Sequence, residues 1–300
     1  PNLVNSVHPV KTFEAKAVMT NILKLWASTI ATTLANPGAL LVFAIIYAFL
    51  LVASYIFISI REATISQVLV TYLLMILIPI GFFTLQASIV NRVWDQKFRW
   101  RVILIDALKF LAVTILVLLL AWLLYYLLNK ISARYPAPVV EAPPVAKAAP
   151  STTPALHWPS LFFATLRFVL LGVALPLAAI HLWIAVAGGQ FRSLFRQGAK
   201  SFFKRIGSAL ARAFSSDSVL IYGLGLIIFF VLPYAILAPT FTISCNKTEF
   251  AVFGLRLLLA FLFSLVGWVS TLTALARAVP ALPTTEVSTA NVALPTESAA

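Results

Sequence analysis

Six long stretches almost free of charge limit what this chain can fold into. They run from about Pro37 to Ile60, Ala63 to Val90, Phe110 to Leu128, Phe168 to Gly188, Ser218 to Leu237 and Leu257 to Ala276. A helix rises about 1.5 Å per residue, so ~20 apolar residues cover the ~30 Å hydrocarbon core of a bilayer. Each stretch meets or approaches that length. The apolar signal is continuous, without the ten-residue alternation of a barrel strand, which excludes strands as spanning elements. The predicted fold class is all-α: a polytopic membrane protein with six transmembrane helices.

Composition agrees. Hydrophobic residues make up 61% of the chain and charged residues 10%, with a mean hydropathy of +0.99. A soluble domain carries about 25% charged residues. Most of this chain therefore has no water to face. The first apolar run is too long for a signal peptide and has no small-residue cleavage site at its end. Because the numbering begins at Pro1, N-terminal processing or trimming is expected. The lone cysteine, Cys245, excludes an intrachain disulfide and a thiolate metal cluster within the chain.

A net charge of +13 raises the question of nucleic acid. The lysines and arginines lie beside the apolar spans, however, and anionic lipid headgroups are the counter-charge that geometry favours. No nucleic-acid partner is expected. The same residues orient the chain. With the N-terminus inside, 15 of the 22 basic residues fall on the cytoplasmic side, as the positive-inside rule requires. They include Lys24, Arg92, Arg99, Lys109, Arg212 and Arg277. Arg61, Lys130, Arg134, Lys147, Arg167, Lys247 and Arg256 stay outside. Both termini are thus predicted to be cytoplasmic.

Three segments between or before the spans read as interfacial helices. In Phe13 to Ala35, Val18, Met19, Ile22, Leu23, Leu25, Trp26 and Ile30 share one face at 100° per residue, opposite Thr20, Asn21, Lys24, Ser28 and Thr32. That pattern predicts an amphipathic helix lying in the headgroup plane. In Phe191 to Phe214, Phe191, Phe195, Phe202, Ile206 and Ala213 form the apolar stripe, and Arg192, Arg196, Lys200 and Lys204 climb the polar side in steps of four. Arg192, Arg196, Lys200, Lys204 and Arg205 are the expected headgroup contacts. Asn91 to Lys109, basic and aromatic through Trp94, Phe98 and Trp100, is a third helical segment with poorer periodicity. The three segments precede spans one, three and five, so the six spans are expected as three hairpins on the cytoplasmic-side interfacial helices. Arg167 and Arg256 open the returning spans of the second and third hairpins. They mark either a repeat or two snorkelling arginines.

The chain divides into an N-terminal arm and interfacial helix (1–36), spans one to three (37–130), and a Pro/Ala-rich extracytoplasmic linker (131–159). Spans four to six follow (160–278), with the basic amphipathic segment at 190–215, and then a disordered tail (279–300). Seven prolines between residues 131 and 159 predict an extended, partly polyproline-like linker. The Pro-, Thr-, Ser- and Ala-rich tail lacks the apolar residues for a core.

The sequence holds little recognisable chemistry. No Gly-rich phosphate loop, His-Glu-x-x-His run or nucleophile elbow is present, and no acidic residue lies near a bilayer midplane. Asp106 and Lys109, one turn apart, read as a local ion pair. His181 is the one ionisable residue within a span. It is a candidate ligand for a haem- or chlorophyll-type metal, or a histidine hydrogen-bonded between helices near the inner interface, with Trp183 in the aromatic belt. His8 and His157 lie outside the spans and are assigned no site. Gln67, Thr71, Gln86, Thr114, Ser264, Ser270, Thr271 and Thr273 read as interhelical polar contacts, although a path for a neutral solute would use the same residues. Asn246-Lys-Thr is a glycosylation sequon of little weight.

The leading expectation is a non-enzymatic integral membrane protein, a scaffold or accessory subunit of a larger membrane complex. A carrier for a neutral or lipidic solute, with a polar cavity around Gln67, Thr71 and Ser264, is the alternative. A cofactor-binding subunit using His181 is the third. The alanine- and proline-rich arms carry no organelle signal, and a bacterial cytoplasmic membrane is the expected location.

Overall fold

The computed structural model describes residues 10–61, 64–94, 98–135, 157–188, 199–238 and 246–278. The side chains of 10–18, 199–203, 205 and 246 lie outside that description. Every element among the described residues is helical. In chain order they are α1 (Val10–Leu34), α2 (Pro37–Ser59), α3 (Ile65–Trp94), α4 (Trp100–Ser132) and α5 (Trp158–Arg167). A π-helical stretch, Phe168–Ala174, joins α5 to α6 (Leu175–Ala187). Then come α7 (Ala199–Ala213) and α8 (Ser216–Leu226), and a second π-helical stretch, Ile227–Val231, leads into α9 (Leu232–Leu237). The last helix is α10 (Asn246–Ala278). Six helices are long and apolar enough to cross a membrane: α2, α3, α4, the continuous helix Trp158–Ala187, the continuous helix Ser216–Leu237, and α10. They fit a multi-pass integral membrane protein.

Local chemistry explains where several of these helices begin. Pro37 takes the first turn of α2, where its missing N–H costs nothing. Asn36 does not cap that helix through its side chain, because its Nδ2 donates back to the Thr32 carbonyl at 3.0 Å. Thr64 and Gln67 form a capping box at the start of α3, each side chain taking the other's backbone N–H at 3.4 and 3.0 Å. Ser215 accepts from the Ser218 N–H at the start of α8. His157, assigned no site from the sequence, caps α5: its Nδ1 accepts from the Ser160 N–H at 3.4 Å.

Both π-helical stretches end immediately before a Leu-Pro pair, Leu175-Pro176 and Leu232-Pro233. Proline has no N–H, and its ring crowds the carbonyl four residues back. Widening the preceding turns relieves that crowding without breaking the helix, which lipid would not tolerate.

The core gathers at one end of the bundle, the end at which α3 finishes and α4 begins. It includes the last turns of α3 (Phe83 to Val90), the first of α4 (Ile103, Ala107, Phe110), most of α6 (Leu177 to Val186) and the last of α10 (Leu265 to Ala276), with Ile22 and Trp26 of α1, Phe43 of α2, Ala213 of α7 and Ile221 of α8. Towards the other end packing thins. In α4 no residue from 111 to 127 is buried.

Close helix approach needs small residues, since lipid supplies no hydrophobic force between helices. Gly225 and Gly267 provide it. A Cβ on Gly225 would collide with the Thr271 side chain, and one on Gly267 would sit 2.9 Å from the Phe229 backbone nitrogen. The second π-helical stretch is thereby seated directly on α10.

Two sequence expectations need correction. First, Asn91 to Lys109 is not an interfacial helix of its own: α3 continues to Trp94 and α4 starts at Trp100. Trp94 and Trp100 extend the spans instead, and Phe98 and Arg99 precede α4. Second, the expected apolar face of α1 is divided. Ile22 and Trp26 are buried together with Thr29, while Met19 and Leu23 are exposed, because the helix docks on α10 and α8 along a 22–26–29 stripe. Within the bundle α3 packs along both α2 and α4.

Candidate functional site

The polar side chains buried within the spans are the natural place to look for chemistry, because each needs a partner or a purpose. Most have partners. Trp268 Nε1 of α10 donates to Gln86 Oε1 of α3 at 2.7 Å. Trp183 Nε1 of α6 donates to Thr114 Oγ1 of α4 at 3.1 Å. Ser264 donates to the Phe229 carbonyl at 3.2 Å, a carbonyl in the π-helical stretch. Thr71, Thr114, Ser88 and Thr271 donate to carbonyls of their own helices.

Trp183 is not part of an aromatic belt. It is buried, stacked on Phe110 with centroids 5.7 Å apart and edge-on to Phe83 at 5.8 Å. Hence α6 is the central helix that ties α3 to α4 through one indole.

His181 lies two residues earlier on the same buried helix. Neither ring nitrogen has a hydrogen-bond partner among the described residues, so the expected bond across helices is absent there. Among the described residues no group of three His, Cys, Asp or Glu side chains is placed to hold a metal ion.

The residues proposed for a neutral-solute path do not converge. Gln67 belongs to the capping box at the start of α3. Thr71 bonds the Gln67 carbonyl one turn along at 3.1 Å, and Ser264 is on α10 against Phe229. Of the expected headgroup contacts, Arg192 and Arg196 lie outside the described residues. Lys200 and Arg205 fall in α7 with side chains outside the description, and Lys204 is exposed. Ala213 of the predicted apolar stripe is buried, and Ile206 is half-buried. Asp106 and Lys109 pair as expected at 2.7 Å, and Asn91 Nδ2 of α3 donates to the same carboxylate at 3.1 Å.

At the far end of α4, Arg167 does not snorkel. It donates to Ser132 Oγ at 2.8 Å and lies over the Tyr125 ring.

A cavity of about 230 Å³ opens where α1 turns into α2, between the last turns of α3 and α10. Its polar lining comprises Thr32, Thr33, Asn36, Arg92, Thr273 and Arg277, and its floor is apolar through Phe43, Ile89 and Val269. Sequence reasoning counted Arg92 and Arg277 only as inside charges. They stand 185 positions apart, and nothing short of the helix rotations brings them together.

Comparison with protein-family models, with curated proteins and with solved structures gives no match.

Proposed function

We propose that this chain is a non-enzymatic scaffold or accessory subunit of a larger membrane complex, in a bacterial cytoplasmic membrane with both termini inside. The observation that carries this reading is α4. From residue 111 to residue 127, about 25 Å at 1.5 Å per residue, no residue is fully buried, and the face with Leu116, Leu119, Trp122 and Leu123 is exposed. That face is not only aliphatic. Trp122 and Tyr126 stack on each other with centroids 6.2 Å apart, and both are mostly exposed. Aromatic residues exposed along a span make good anchors for a neighbouring helix.

The paired polar side chains support the same reading. Gln86, Thr114 and Ser264 are engaged in helix–helix bonds, and the residues of an expected solute path are scattered.

The test is site-specific photocrosslinking in intact membranes. A photoreactive residue at Trp122 is expected to give one discrete protein adduct. The same residue at Ile58, exposed elsewhere in the bundle, is expected to give lipid adducts alone. Lipid adducts only at both positions, with a lone monomer after extraction in mild detergent, would refute the proposal.

A further inference from the structure

Pro176 and Pro233 create the same local problem, and their surroundings meet it differently. Proline has no N–H, so the carbonyl four residues back loses its helical donor. For Pro176 that carbonyl belongs to Gly172, and for Pro233 to Phe229. Both carbonyls lie in the π-helical stretches, Phe168–Ala174 and Ile227–Val231, a distortion found where helices bend or act.

At Pro176 both flanks are fixed. Beyond it, nine residues of α6 between Leu177 and Val186 are buried. Before it, Arg167 is bonded to Ser132 of α4. The widened turns there join two anchored segments, and neither has freedom to swing.

At Pro233 only one flank is fixed. Up to Phe229 the chain is seated on α10: no room is left for a Cβ on Gly267 against the Phe229 backbone, and the Phe229 ring lies edge-on to Trp268 at 4.9 Å. Pro233 itself is buried. Beyond it α9 lies along α10, yet from 234 to 238 no residue is buried, and Tyr234 is 69% exposed. A firm base, a turn short of one backbone donor and a lightly packed arm are the parts of a hinge.

Ser264 closes that hinge. Its hydroxyl donates to the Phe229 carbonyl at 3.2 Å, the same carbonyl that Pro233 cannot reach. Within lipid a freed carbonyl needs such a substitute donor. Here the donor belongs to the neighbouring helix, so one bond both completes the kinked span and ties it to α10. Losing it loosens both at once.

We propose that Pro233 and the π-helical stretch before it form a hinge in the fifth span, with α9 as the moving arm and the Ser264 hydroxyl as its latch. Opening would let α9 swing away from α10 while the rest of the span stays seated.

The test is hydrogen–deuterium exchange of the full chain in lipid nanodiscs, read by mass spectrometry at the amides of 234–236. Their helical acceptors lie four or five residues back, across Pro233, so these amides exchange when the hinge opens. Ser264→Ala is expected to speed their exchange about fivefold, the loss of one neutral hydrogen bond, with the α6 amides as in wild type. Pro233→Ala returns a donor to the Phe229 carbonyl and should slow the same amides. In that background Ser264→Ala should have no effect. Pro233→Ala alone decides the matter even where Ser264→Ala fails to fold. Unchanged exchange at 234–236 in Ser264→Ala would overturn the proposal. So would an equal rise in α6, which marks a loss of stability throughout the bundle, or Pro233→Ala that leaves 234–236 no slower than wild type.

Discussion

Gly267→Ala offers a direct test of how the last two spans hold together. An added Cβ would lie 2.9 Å from the Phe229 backbone nitrogen, 2.9 Å from Ile228 Cγ2 and 3.0 Å from Phe229 Cβ. A backbone atom cannot swing aside as a side-chain tip can, so α10 must move off the π-helical stretch. Two further contacts go with it: the Ser264–Phe229 hydrogen bond of 3.2 Å and the edge-on Phe229–Trp268 pair at 4.9 Å. Overpacking of this kind costs about 1–3 kcal/mol. Against it stands the better helix propensity of alanine, up to ~1 kcal/mol. Gly254→Ala provides the control, because it shares the helix and has nothing within 4 Å of an added Cβ. Propensity cancels between the two variants. Their difference isolates the packing cost and is expected at about 1–3 kcal/mol against Gly267→Ala. Equilibrium unfolding in mixed micelles, followed by tryptophan fluorescence, measures it. A difference under about 0.5 kcal/mol, the range of surface substitutions, would refute the close seating of the two helices. Gly225→Ala against Gly223→Ala repeats the comparison from the other side and should give the same sign.

Trp268→Phe removes the 2.7 Å bond to Gln86 and leaves a buried amide unpaired, at an expected cost of about 0.5–2 kcal/mol. Adding Gln86→Leu should recover part of that loss in a double-mutant cycle, and strict additivity would count against the bond. Asp106→Ala should destabilise by about 1–3 kcal/mol because it strips Asn91 and Lys109 of their acceptor. Lys109→Ala, from a half-exposed position, should cost less; the reverse order in chemical denaturation would be inconsistent with a buried carboxylate. His181→Leu should leave the unfolding midpoint unchanged or raise it, since neither ring nitrogen is bonded among the described residues and an unpaired buried polar group is unfavourable. For the cofactor reading, purified wild type and His181→Ala are compared by visible absorption. No band, or an unaltered one, removes that reading.

The six spans were legible because lipid leaves the chain no choice: an apolar run of that length must satisfy its own backbone. Helix rotation was not legible. In a soluble helix an apolar stripe marks the inner face, but Leu116 and Leu177 are equally apolar although one is exposed and the other fully buried. Lipid and protein interior look alike to hydropathy, so Trp183 read as a belt residue until its partners Thr114 and Phe110 were placed beside it. That Arg92 and Arg277 line one cavity was hidden for the same reason. Pro176 and Pro233 announced a disturbance of the helix without saying that it would take the form of widened turns. At α1 the periodicity found an apolar face, but the helix turned a narrower stripe of it, 22–26–29, towards α10.

A bundle packed most densely at one end responds to its surroundings unevenly along its length. The unburied reach of α4, the first half of α3 (in which Leu74 alone is buried) and the start of α10 all extend from the same anchorage. A thicker or thinner hydrocarbon layer is met by tilt, each change costing fractions of a kcal/mol per Å of mismatch. Such tilting pivots on the anchorage, where the Gln86–Trp268 and Thr114–Trp183 bonds stay closed. Bilayer thickness would therefore bear first on the thinly packed starts of α3 and α10, whereas α4 is tied near its far end to α5 through Arg167 and Ser132.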